Sequence, residues 1–78
     1  MARKVFVNVT ADFMYDGKIM PRSFVWEDGR RFDIDRVLDV RPAASLKVGG
    51  QGLRYTCRIC GKQKYIFLEN GRWFIEGK

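Results

Sequence analysis

Arg54-Tyr55-Thr56-Cys57-Arg58-Ile59-Cys60-Gly61-Lys62 holds both cysteines of the chain, spaced C-x-x-C. Two thiols at that spacing offer two kinds of chemistry: half of a zinc knuckle, or a redox pair of the thioredoxin type. The knuckle needs further ligands, and the chain has no third cysteine and no histidine. A four-cysteine site shared between two copies of the chain is the one metal arrangement that survives. A redox pair needs a helix N-terminus beside a βαβ pattern, and neither is present. The residues alternate instead, with Leu53, Tyr55, Cys57 and Ile59 between Arg54, Thr56 and Arg58. Successive strand side chains take opposite faces. Cys57 therefore points into a core, and Cys60 opens a turn with Gly61.

The lack of histidine also removes the side chain best suited to proton transfer near neutrality. Nothing proposes catalysis, and no motif calls for a cofactor. The glycine-rich stretch at 41–52 lacks the Gly-Lys-Ser/Thr element of a phosphate-binding loop. Its Gly49-Gly50-Gln51 matches the tripeptide with which peptide-release factors position water. Nothing else here resembles a release factor, so the stretch reads as an excursion between strands.

Charge is the broadest functional signal. Fifteen Lys and Arg against nine Asp and Glu leave a net charge of +6, which favours anionic partners and DNA or RNA first. Arg54 and Arg58 share the outward face of their strand, and Lys62, Lys64 and Arg72 follow on the next strands and turns. A basic strip with exposed aromatics suits single-stranded nucleic acid, through phosphate neutralisation and base stacking. The competing arrangement is internal. Asp33, Asp35 and Asp39 occupy the outward parity of the preceding strand and could face Arg54 and Arg58 as cross-strand pairs.

A second candidate surface lies in the C-terminal hairpin. Tyr65-Ile66-Phe67-Leu68 and Trp73-Phe74-Ile75 are apolar on both faces. Either the chain itself covers the second face, or Ile66, Leu68 and Phe74 meet a protein partner or a second copy.

The elements that position these residues follow from punctuation. Asp16-Gly17, Asp28-Gly29, Gly49-Gly50, Cys60-Gly61 and Asn70-Gly71 separate runs rich in β-branched and aromatic residues. No helical periodicity lasts three turns. The reading is six short antiparallel strands, at about 3–12, 19–27, 30–41, 53–60, 63–69 and 72–76, curling into one small barrel without exposed edges. A two-residue Asp28-Gly29 turn would set Phe24 opposite Asp33. An odd-length loop instead aligns Phe24 and Trp26 with Phe32 and Ile34, so the apolar pattern selects the odd loop. Leu38 and Val40 continue that parity but Arg36 breaks it, which predicts a bulge or bend near Arg36-Val37.

At 78 residues the chain is expected to be a single domain. No apolar run is long enough to span a bilayer, and Asp12 comes too early for a secretory leader, so the expectation is a cytoplasmic protein without a membrane partner.

With strands placed, the pattern of Phe24, Trp26, Phe32, Ile34, Val37-Leu38-Asp39, Arg54-Tyr55-Thr56, Ile66-Phe67 and Arg72-Trp73-Phe74 resembles small bacterial domains of unknown function. They are seen mainly in Gram-positive anaerobes. The resemblance implies an SH3-like barrel and brings no activity and no functional residues with it.

Overall fold

The structure, a computed structural model, describes residues 3–42 and 52–77. The described chain is eight antiparallel strands: β1 (Arg3–Phe6), β2 (Asn8–Phe13), β3 (Ile19–Val25), β4 (Arg31–Asp33), β5 (Arg36–Pro42), β6 (Leu53–Ile59), β7 (Lys62–Glu69) and β8 (Arg72–Gly77). They form a five-stranded sheet in the order β1-β8-β7-β6-β5 and a three-stranded sheet in the order β2-β3-β4. The all-β class expected from the sequence is the class observed. Among the described residues no helix is long and apolar enough to cross a membrane. Gly49-Gly50-Gln51 lies outside the described residues.

Eight strands replace the expected six because two segments bend and serve both sheets. The first turns at Val7, whose N–H donates to the Trp73 carbonyl at 3.1 Å. The second turns at Ile34-Asp35, where the Ile34 N–H reaches Arg22 of β3 at 2.8 Å and the Asp35 N–H reaches Arg58 of β6 at 2.9 Å. Consecutive N–H groups of an extended chain point in opposite directions. The strand uses that property to leave one sheet and enter the other within one peptide unit.

The turns explain the register. Phe24 pairs with Phe32 and Val25 with Arg31, as the odd loop requires. Gly29 closes that loop with φ of 88°, a conformation glycine reaches without a Cβ penalty. The Asp28 carboxylate accepts the Arg30 N–H at 2.9 Å and the guanidinium at 3.0 Å. Those bonds, the backbone one foremost, hold its carboxyl below the usual range. Cys60-Gly61 and Asn70-Gly71 are two-residue turns with positive φ at both positions, the form that matches strand twist.

One apolar cluster lies between the sheets. Val5, Val7, Phe24, Tyr55, Cys57, Ile59, Ile66 and Ile75 are buried in it, with Trp26, Phe32, Ile34 and Val37 packed at its margin. Phe24 and Phe32 stack at 5.4 Å. The Tyr55 hydroxyl crosses the core and donates to the Ile19 carbonyl at 2.6 Å. The parity of Leu38 is corrected by the structure. The register shifts between Val37 and Asp39, so Val37 faces the core opposite Cys57 and Leu38 is 41% exposed. Val40 keeps the core parity opposite Tyr55 but stays 41% exposed on the edge strand.

Candidate anion-binding face and groove

Every described Lys or Arg of β1–β4 and their turns has a carboxylate partner. Arg3 meets Glu27 at 2.9 Å, Lys4 meets Glu69 at 3.1 Å and Arg22 meets Asp12 at 2.7 Å. Lys18, Arg30 and Arg31 pair with Asp16, Asp28 and Asp33. On β5, Arg41 pairs with Asp39 at 2.7 Å. Among the described residues the cations without an ion pair are Arg36, Arg54, Arg58, Lys62, Lys64 and Arg72, and all of them lie on β5–β8. The described carboxylates without one are Asp35 and Glu76.

The register groups the arginines. Arg36 stands opposite Arg58, and Arg41 opposite Arg54, with Asp39 opposite Thr56 between them. The cross-strand neutralisation that the aspartates of the preceding strand could have supplied is therefore not what the chain does. Asp33 and Asp39 pair within their own strands, with Arg31 and Arg41, although Asp39, opposite Thr56, shares the face of the arginines. The sequence marks Arg36 only as a break in the apolar parity and not as a site residue, because its place opposite Arg58 depends on the bulge after Val37.

Arg54 is half-buried. Its guanidinium lies 4.8 Å from the centre of the Tyr65 ring, and its Nε is buried without a hydrogen-bond partner. Tyr65 itself is 44% exposed. Farther along the same face runs a row of aromatics: Phe67 stacks on Phe74 at 5.0 Å, and Phe74 meets Phe6 edge-on at 5.9 Å. Lys4 lies over Phe74 at 4.6 Å on its way to Glu69, and Arg72 lies over Phe6 at 4.1 Å. The second face of the C-terminal hairpin is thus packed against the chain's own N-terminal strand. Phe74 and Ile66 are fully buried and Leu68 is half-buried, so the residues expected at a protein interface lie inside.

Lys62 and Lys64 belong elsewhere. By register they share the face of Ile59 and Cys57, on the opposite side of the sheet from Arg54 and Arg58. They remain exposed because β7 and β8 diverge. Pairing runs from Glu69↔Arg72 to Phe67↔Phe74, after which β8 continues with β1 and β7 with β6. The divergence opens a groove of about 460 Å³ toward the three-stranded sheet. Its apolar walls include Phe24, Trp26, Phe32, Ile59 and Ile75. Lys62 and Lys64 stand on one rim, and Arg30, itself 5.3 Å over Phe32, on the other. The five basic residues singled out from the sequence are therefore split between a face (Arg54, Arg58), a groove (Lys62, Lys64) and the aromatic row (Arg72).

The cysteines are separated as the alternation predicts. Cys57 is fully buried, and burial pushes its thiol up to about 11, whereas Cys60 is exposed in its turn. Among the described residues no three Cys, Asp or Glu side chains gather as metal ligands. The chain matches no family model, no curated protein and no solved structure.

Proposed function

We propose that this chain is a nucleic-acid-binding module without enzymatic activity, contacting phosphates through the unpaired cations of β5–β8. The observation that carries this reading is the sorting of charge: the described cations of β1–β4 are matched by carboxylates, and the unmatched ones all lie on β5–β8 of the five-stranded sheet, on its two faces. Arg36 and Arg58 directly opposite one another cost free energy unless something anionic lies across them. A phosphate there displaces no internal carboxylate, and its release of counterions drives binding. Tyr65, held by Arg54, supplies an exposed ring for a base. Kinship with the small bacterial domains of SH3-like type belongs to the same proposal and rests on the residue pattern.

The test is a titration of isotope-labelled protein with short single- and double-stranded oligonucleotides at low and then moderate salt. Amide shifts on β5 and β6 that fade with salt are expected. No shift at low salt, where phosphate binding is strongest, overturns the reading. A second role, association with another protein, is favoured by one feature. At the β2–β3 hairpin tip Phe13 is 80% exposed and Tyr15 fully so, and neither ring has a partner among the described residues.

A further inference from the structure

The groove between β7, β8 and the β3–β4 hairpin combines features that the face of β5 and β6 lacks. Trp26 packs one side against the core margin, yet among the described residues no other ring stacks on its indole and no cation covers it. The other groove aromatics are occupied: Phe24 and Phe32 stack on one another, and Arg30 lies over Phe32. Lys62 and Lys64 line the same opening and have no carboxylate among the described residues. A half-buried indole with a free side, next to two free ammonium groups, matches a ligand that is planar at one point and anionic at its neighbours. The volume, about 460 Å³, falls in the range of small-ligand sites.

We propose that this groove takes one unstacked base of a single-stranded nucleic acid, with its flanking phosphates on Lys62 and Lys64. The proposal rests on the nucleic-acid reading above and names the form of nucleic acid: a duplex keeps its bases stacked and cannot enter, whereas a single strand can. The base stacks on Trp26, and Arg30 borders it on the far rim. The strand then passes the β6–β7 turn at Cys60-Gly61 toward Arg58 and Arg36 on the other side of the sheet. Charge argues for an anionic strand over a neutral or basic peptide, since the unpaired cations of the lining are Lys62 and Lys64 against Glu76 alone, Arg30 being already matched by Asp28.

The experiment uses the full chain labelled with ¹⁵N and three probes: a short mixed-sequence single strand, the duplex of that sequence, and an acidic peptide of equal charge. The Trp26 indole N–H and the amides of Lys62 and Lys64 report the groove; the amides of Arg36 and Arg58 report the face. The expected result is that the single strand moves both sets while the duplex moves only the face. Replacing Trp26 by Ala is expected to weaken the single strand by about 5- to 150-fold, the usual worth of one base–aromatic stack. Because that variant removes a packed ring, the exposed pair Lys62→Gln and Lys64→Gln serves as a second probe. It is expected to weaken the single strand more than the duplex. Single-strand shifts confined to Arg36 and Arg58 would overturn the groove and leave the broader function standing. Absence of any shift at low salt would remove both. Equal groove shifts from the acidic peptide would show that the site takes a peptide, which also overturns it.

Discussion

Cys57 and Cys60 live in different solvents, and each has a measurable consequence. Cys57 has no exposed surface, and its thiol is pushed up to about 11 from an ordinary 9.0 because burial disfavours the thiolate. Below pH 9 the group is neutral in both folded and unfolded chains, so its full contribution is present. Between about pH 9 and pH 11 the unfolded chain ionises first, and roughly 3 kcal/mol of stability is lost. Buried Tyr55, also raised mainly by desolvation, adds loss in the same alkaline direction. Urea unfolding at pH 8 and at pH 10.5 measures the sum, and Cys57→Ala, though less stable at pH 8, is expected to fall less steeply. Cys60 raises a different matter, because its φ of 52° lies in the left-handed region that disfavours most side chains. Asparagine tolerates that conformation, as Asn70 does in the matching turn. Cys60→Asn is therefore expected to stabilise the protein by roughly 0.5–1 kcal/mol in the same unfolding measurement. Strand alternation by itself makes the separation of the two thiols legible in the sequence. The ion-pair choice of Asp39 is not legible there, since parity says which face a carboxylate takes but not which of several arginines it reaches.

The strands are readable as segments and unreadable as sheets. Turn residues fix where each segment stops, and the apolar pairing of Phe24 with Phe32 fixes one register. Nothing in the local composition distinguishes a strand that stays in its sheet from one that crosses at Val7 or Ile34, because both conformations are extended. The bulge anticipated near Arg36-Val37 exists, one position later. Its effect is testable with two substitutions. Leu38→Thr should change stability by no more than about 0.5 kcal/mol, since Leu38 faces out. Val37→Ala should cost about 1–2 kcal/mol, the worth of two buried methyl groups. Without the bulge the order would be reversed. The bond from Tyr55 on β6 to Ile19 on β3 joins the two sheets directly. Tyr55→Phe leaves that carbonyl without its donor, and thermal unfolding should register about 1–3 kcal/mol of lost stability. A change below half a kilocalorie would mean that water takes the hydroxyl's place.

At the scale of the molecule the net charge of +6 is less informative than its distribution. A count of Lys and Arg along the chain indicates a general attraction for anions. The fold sorts the described ones into cations already neutralised and cations left free, and only the second group can exchange bound counterions for phosphates without losing an internal partner. The distinction predicts how variants respond to salt. For single-stranded nucleic acid the log–log salt slope changes by about 0.7 for each phosphate that is no longer neutralised. Arg36→Gln with Arg58→Gln should flatten it by about 1.4. Arg22→Gln, which removes a cation already paired with Asp12, should leave it unchanged. Equal effects from both would make the sorting irrelevant to binding. The groove is invisible in the sequence for a topological reason. It exists because β7 and β8 part company after Phe67↔Phe74, and a hairpin with an Asn-Gly turn gives no local sign that its strands will separate.

The pairing of β1 with β8 has one further consequence, a mechanical one. Arg3 is the register partner of Gly77, so the first and last described strands lie side by side in opposite directions. Tension applied through those two residues acts across the strands, not along them. It loads Arg3↔Gly77 first, then Lys4↔Glu76, then Val5↔Ile75, one rung at a time. A sheet pulled along its strands must break all its rungs together, but this one opens like a zipper at modest force. The strand it releases first carries Lys4 and Phe6, whose departure uncovers the ring of Phe74 while the β6–β7 hairpin and its arginines are still in place.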